Sequence, residues 1–210
     1  MSDYIIETIE TENYKLEISY DQCVESPREW SNLGTITAWH SNYNLSDDGA
    51  DFRDYRSFLE YHTDKHFKTQ EGLENASDER LKELMGKDYI VLTVHMYEHG
   101  QVALSTSSFM GRAIHAEWDS GRVGFIYVSK EKVKQEYGGK VINKKLRERV
   151  EGYLTGEIEI YSNYVNGDVV SYTLFDKDGE EEDSCGGFFG YDYKVNGIAD
   201  YVPQEVVMAL

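Results

Sequence analysis

The chain has 210 residues, 40% hydrophobic and 29% charged, a composition that builds a packed core and excludes a disordered chain. Its 39 acidic against 21 basic residues leave a formal charge of −18, which opposes contact with DNA, RNA and anionic membrane and favours basic partners. The charge is uneven: residues 1–80 carry 18 acidic and 7 basic side chains, residues 81–149 carry 8 and 12, and residues 150–210 carry 13 and 2.

Over residues 13–21, Tyr14, Leu16, Ile18 and Tyr20 alternate with Lys15, Glu17 and Ser19, the period of a strand with one wet face. A turn-rich stretch around Pro27 leads to a second predicted strand over 35–39. Residues 46–51 are polar and hold Asp-Asp-Gly, breaking order before a helix predicted from 52 to about 67, with Phe52, Tyr55, Phe58, Leu59 and His62 on one face. Ser77 should cap a helix that Gly86 ends. Residues 89–97 and 102–106 read as a hairpin and 123–128 as a strand, after which Ser129 caps a helix to Tyr137, closed by Gly138-Gly139.

From 140 to 154, Val141, Ile142, Leu146, Val150, Tyr153 and Leu154 form an apolar helical stripe opposed by Lys144, Lys145, Arg147 and Arg149. Residues 157–160 and 169–172 then flank Asn166-Gly167, a pair suited to a tight hairpin, and Asp178-Gly179 can turn the chain again. This predicts a three-stranded meander over 157–189, with Tyr161 facing Tyr172, Ile158 facing Phe175, and Tyr161 and Tyr164 on opposite sheet faces. Pro203 starts a last short helix. With no repeat and no linker, the expectation is a single α+β domain over residues 1–210: antiparallel sheet, a C-terminal β-meander and several packed helices.

Motifs for chemistry are sparse. His95-Met96-Tyr97-Glu98-His99 matches an inverted zinc-peptidase pattern, but its surroundings predict a strand, where residues four apart lie roughly 13 Å from each other. His62 and His66 share a predicted helix face without a third ligand at a suitable spacing, so no metal site is expected. Asp176-Lys177-Asp178-Gly179 lacks the carboxylates that a calcium loop needs at its ends, and the glycines near Cys185 fit no nucleotide fingerprint. Cys185 is expected to be a sheltered thiol. No cofactor is implied. The start Met1-Ser2-Asp3-Tyr4 lacks a signal-peptide pattern and the two cysteines fit reduced thiols, so a cytoplasmic protein is expected. The 17 tyrosines offer large, stiff contact surfaces suited to recognition.

Three segments in order carry a family likeness: residues 25–35 with Pro27-Arg28-Glu29-Trp30 and Asn32-Leu33-Gly34-Thr35, residues 118–128 beginning Trp118-Asp119-Ser120-Gly121, and residues 183–190 beginning Asp183-Ser184-Cys185. Together they resemble a family of small proteins carried by bacteriophages and other mobile elements. At Gly186 this chain departs from the pattern, where an aromatic residue is expected. The resemblance implies a setting in an infected host cell and no defined activity.

The combined expectation is a non-enzymatic acidic protein that binds and inhibits a basic, nucleic-acid-binding host defence protein. It would do so by DNA mimicry, as anti-restriction or anti-CRISPR proteins do, without binding nucleic acid or membrane itself. Candidate contact residues are Asp47, Asp48, Asp51 and Asp54 in the front half and Glu180, Glu181, Glu182 and Asp183 near the C-terminus. The alternative is a hydrolase or nucleic-acid-modifying enzyme with its site near Trp118-Asp119 or Cys185.

Overall fold

The structure is a computed structural model that describes residues 4–47, 49–50, 52–139 and 141–210. In chain order the elements are β1 (Ile5–Glu10), β2 (Tyr14–Tyr20), β3 (Thr35–Ala38), α1 (Tyr55–Thr63), α2 (Gln70–Glu74), α3 (Asp78–Asp88), β4 (Tyr89–Glu98) and β5 (Val102–Ser105). There follow α4 (Ala116–Asp119), β6 (Ser120–Ser129), α5 (Lys130–Tyr137), α6 (Lys144–Asn166), β7 (Val169–Asp176), β8 (Glu181–Phe189) and α7 (Gln204–Ala209). The fold is α+β with antiparallel sheets, as the patterning predicts. Its contacts divide into two compact units, one of Met1–Trp30 with Ile160–Leu210 and one of Ser31–Glu159. None of the helices, among the described residues, is long and apolar enough to cross a membrane.

In the first unit the strand order is β1-β2-β7-β8. The alternation in β2 does what its period implies: Leu16 and Ile18 are fully buried, paired across with Leu174 and Tyr172 of β7. Phe188 of β8 and Ile198, Val202 and Val206 of the C-terminal segment complete this core. Each such side chain contributes about 1.5–3 kcal/mol on burial, so one sheet face closed by a short helix suffices to anchor the unit. The turn at Asp178-Gly179 joins β7 to β8 as predicted.

In the second unit the order is β3-β6-β4-β5. Val123 to Val128 of β6 are continuously buried because both sheet faces are covered, which is why this stretch shows no alternation. On one face Phe125 and Tyr127 pack with Phe58 and Leu59 of α1 and Leu81 and Met85 of α3. On the other, Ile126 meets Leu154 of α6 so closely that a Cβ on Gly34 would lie 2.7 Å from the first and 2.6 Å from the second. Glu157 accepts hydrogen bonds from the Leu33 and Gly34 amides, and Lys132 donates to the Asn32 and Leu33 carbonyls, fixing the entry to β3.

Three expectations are corrected. Residues 157–166 are helix, not the first meander strand. Val150, Leu154, Ile158 and Tyr161 are all buried at spacings of four, four and three, so the helical stripe runs on through a stretch that alternates only locally. Tyr161 and Tyr164 accordingly stack on one side of α6, ring centres 6.2 Å apart, and β7 pairs with β2 and β8. Asn166-Gly167 is a helix stop: the Gly167 amide donates to Tyr164 O and the Asp168 amide to Asn163 O, with Gly167 at φ 77°. Finally, α3 runs past Gly86 to Asp88, where the Lys130 ammonium satisfies the Gly86 and Lys87 carbonyls.

The cap yields a prediction. Gly167→Val places a branched Cβ in the left-handed region and should cost about 1–2 kcal/mol, read as a lower urea midpoint. An unchanged midpoint would show that the helix does not end this way.

Candidate recognition surface

The division into units sharpens the charge pattern. Residues 1–30 and 160–210 hold 18 acidic and 4 basic side chains, net −14, whereas residues 31–159 hold 21 and 17, net −4. Within the acidic unit β8 is a terminal strand, and residues 181–187 are exposed along it. The preceding turn is locked by Asp176, whose Oδ1 accepts the amides of Asp178 and Glu180 while Gly179 sits at φ 84°. That turn presents Glu180, Glu181 and Glu182 to solvent.

Their partners differ. Among the described residues the side chains of Glu180 and Glu182 have none, and Glu181 only accepts from the Ser184 hydroxyl at 2.9 Å. Asp183 is committed inward: it pairs across with Leu174, and its Oδ2 accepts the Tyr172 hydroxyl at 2.5 Å. Tyr172 is only 1% exposed, and burial, with the Asp183 carboxylate next, pushes its phenol well above the usual range. Glu180 and Glu182 are therefore unengaged, Glu181 holds one hydroxyl, and Asp183 is tied to the core through Tyr172.

The front group belongs to the other unit. Asp47 accepts the Ile36 amide at 2.8 Å and fastens its loop to β3. Asp54 caps α1 through the Ser57 amide in a reciprocal capping box and also pairs with Arg53; these bonds, the Ser57 amide foremost, hold its carboxyl below the usual range. Asp48 and Asp51 lie outside the described residues.

The histidines separate by environment. His62 is buried in a cage of aromatic rings, with no hydrogen-bond partner on either ring nitrogen. His66 pairs with Asp88 at 2.5 Å. His95 lies on β4 as predicted; burial first, then Arg122 and Arg112, pulls its imidazole below the ordinary value. His99 follows β4, and its Nδ1 meets Asp119 Oδ2 at 2.7 Å, with the His115 ring 5.9 Å away. Among the described residues no three His, Cys, Asp or Glu side chains form a group able to hold an ion.

His99 and Asp119 belong to stretches singled out above, whereas their approach to each other and the addition of His115 come only from the fold. His115 is the non-glycine residue with a positive φ, 55°, among the described residues, and it opens α4, which carries Trp118 at 84% exposure. Two glycines of the likeness motifs lie where the fold leaves no room for a side chain. A Cβ on Gly124 would strike Thr37 O at 2.1 Å, and one on Gly186 would meet Asp21 Oδ2 at 2.2 Å. Asp21 thus occupies the space that an aromatic residue at 186 would need, and it accepts the Gly187 amide. Cys185 is exposed rather than sheltered, since β8 is an edge, and its unit contains no histidine to activate it. Comparison of the chain with models of protein families, with curated proteins and with solved structures finds no match.

Proposed function

We propose that the chain is a non-enzymatic binding protein of a phage or mobile element. In the host cytoplasm it occupies the basic, nucleic-acid-binding surface of a defence protein, its carboxylates standing in for phosphates. The supporting observation is the concentration of charge: a unit of net −14 whose preformed turn holds Glu180, Glu181 and Glu182 in solvent with little internal use for them. Such an array steers association over long range, and salt screens it.

Replacing Glu180, Glu181 and Glu182 together with lysine should weaken partner binding at least about tenfold, roughly 1.4 kcal/mol, mainly by slowing association. Asp183 is left in place because removing it would strand the Tyr172 hydroxyl. The measurement is surface binding to a DNA-binding protein captured from the host, at two salt concentrations. A complex indifferent to both salt and the reversal would defeat acidic mimicry. A hydrolytic reading has one observation in its favour: Asp119 orients His99 through Nδ1 and leaves Nε2 to accept a proton. Hydrolysis of DNA, RNA or peptide that vanishes in His99→Gln would put catalysis in place of binding.

A further inference from the structure

The unit of residues 31–159 contains a surface of opposite character. A cleft of about 360 Å3 lies where α1, α3, β4 and β6 meet, walled by Tyr55, Phe58, Tyr89 and Phe125 and lined as well by the exposed Lys82 and Arg122. Arg147 also lines it, and among the described residues no carboxylate does, although this unit has 21 acidic residues. Arg147 is already paired with Glu151 at 2.7 Å. Among the described residues Lys82 and Arg122 have no anionic partner; both instead lie over one ring, with Lys82 Nζ 5.2 Å and Arg122 Cζ 4.8 Å from the centre of Tyr55. The two charges can be no further apart than the sum of those distances, close enough for a single phosphorylated group to reach both.

We propose that this cleft binds a nucleotide-class ligand, a planar ring carrying phosphate. Attraction to a ring face holds each cation in place but neutralises neither, and an anion bridging them removes their mutual repulsion. The guanidinium fork of Arg122 matches phosphate oxygens, and Lys82 supplies a point charge beside it. Behind the cations the wall is aromatic: Tyr55 stacks on Phe125 with centres 5.3 Å apart, and Phe125 on Phe58 at 5.4 Å. A flat ring fits against that wall, and the volume falls in the range of about 300–1,000 Å3 usual for small-molecule sites.

Two further features supply hydrogen bonds. The hydroxyl of Tyr55, a residue that lines the cleft, is shielded from solvent and has no partner, so a ligand acceptor oxygen that reaches it would satisfy it. On the side away from β6, β4 pairs with β5 only from His95 to Glu98. Among the described residues the cleft-lining stretch with Tyr89, Val91 and Thr93 therefore has no neighbouring strand on that side.

The test is titration calorimetry of the intact chain with ATP at low salt without divalent metal, with adenosine and pyrophosphate as its separated halves. ATP should bind, each half at least about tenfold more weakly, and the affinity should fall as salt rises. Lys82→Gln and Arg122→Gln should each lower ATP affinity at least about tenfold while leaving the melting temperature unchanged, since both side chains are exposed. Absence of binding by ATP, GTP, CTP and UTP at millimolar concentration overturns the proposal, as does binding that both substitutions leave intact. A single-stranded oligothymidylate that binds more tightly than every triphosphate also overturns it, because the surface would then be a strand-binding one.

Discussion

Replacing Gly124 with alanine is expected to destabilise the chain by about 3 kcal/mol or more, a drop of roughly 6–12 °C in melting temperature. The reason is a backbone contact that no rotamer can relieve. In the β3–β6 ladder Gly124 pairs with Ala38, and an added Cβ would sit 2.1 Å from Thr37 O and 2.7 Å from Ala38 Cα. Among the described residues β3 has no other strand neighbour, so pushing it away exposes Ile36 and Thr37, both buried, and loosens the Asp47 tether on the Ile36 amide. Calorimetry of Gly124→Ala beside the parent checks this. A shift of less than about 2 °C, the effect of at most about 0.5–1 kcal/mol, would mean that the two strands are not in this register.

His62→Phe is expected to act in the opposite direction and to change the acid response. The imidazole is 7% exposed, with the rings of Phe58, Tyr127, Tyr89, Tyr61 and Phe52 centred 4.8 to 5.6 Å from it. Burial, with some repulsion from Lys65, lowers its pKa from 6.5 to about 4. The unfolded chain therefore takes up this proton first. Stability from the site is full above pH 6.5 and is lost as pH falls from there through about 4, by on the order of 3 kcal/mol. Phenylalanine keeps the ring packing, removes that loss and removes a buried N–H that has no acceptor, worth about 1–3 kcal/mol at neutral pH. Urea melts of both proteins at pH 7 and pH 4.5 should show the variant ahead at both, and further ahead in acid. Equal slopes against pH would show that His62 is not the acid-sensitive group.

What could be anticipated from the sequence follows from which signals are local. The alternation of β2, the Ser77 and Ser129 caps and the Asp178-Gly179 turn are each set within a few residues, and all are found where the pattern puts them. Residues 157–166 mislead because Glu157-Ile158-Glu159-Ile160 satisfies a period of two over four residues, while the helical stripe that governs it is visible only over the full length from Val150 to Tyr161. Asn166-Gly167 is equally ambiguous, since a hairpin and a helix stop both demand a residue tolerant of positive φ. β1 escaped notice because its Ile5, Ile6 and Ile9 do not keep to one face. Of the candidate carboxylates, exposure at Glu180 to Glu182 is a local property of a charged turn. The inward roles of Asp47 and Asp183 depend on Ile36 and Tyr172, each 11 residues away. The cleft is less visible still, because Tyr55, Lys82 and Arg122 come from three elements that only the fold brings around one ring.

The placement of the carboxylates on a terminal strand has a consequence for the protein alone in solution. Residues 181–187 leave one side of β8 unpaired, and an open strand edge is a template on which a second copy can extend the sheet. Glu181 and Glu182 in succession make that addition repulsive, since an incoming copy would lay like charges against them. Near the isoelectric point of about 4.6 the overall charge that keeps copies apart vanishes, so colloidal stability should reach its minimum there through growth along this strand rather than through loss of the core.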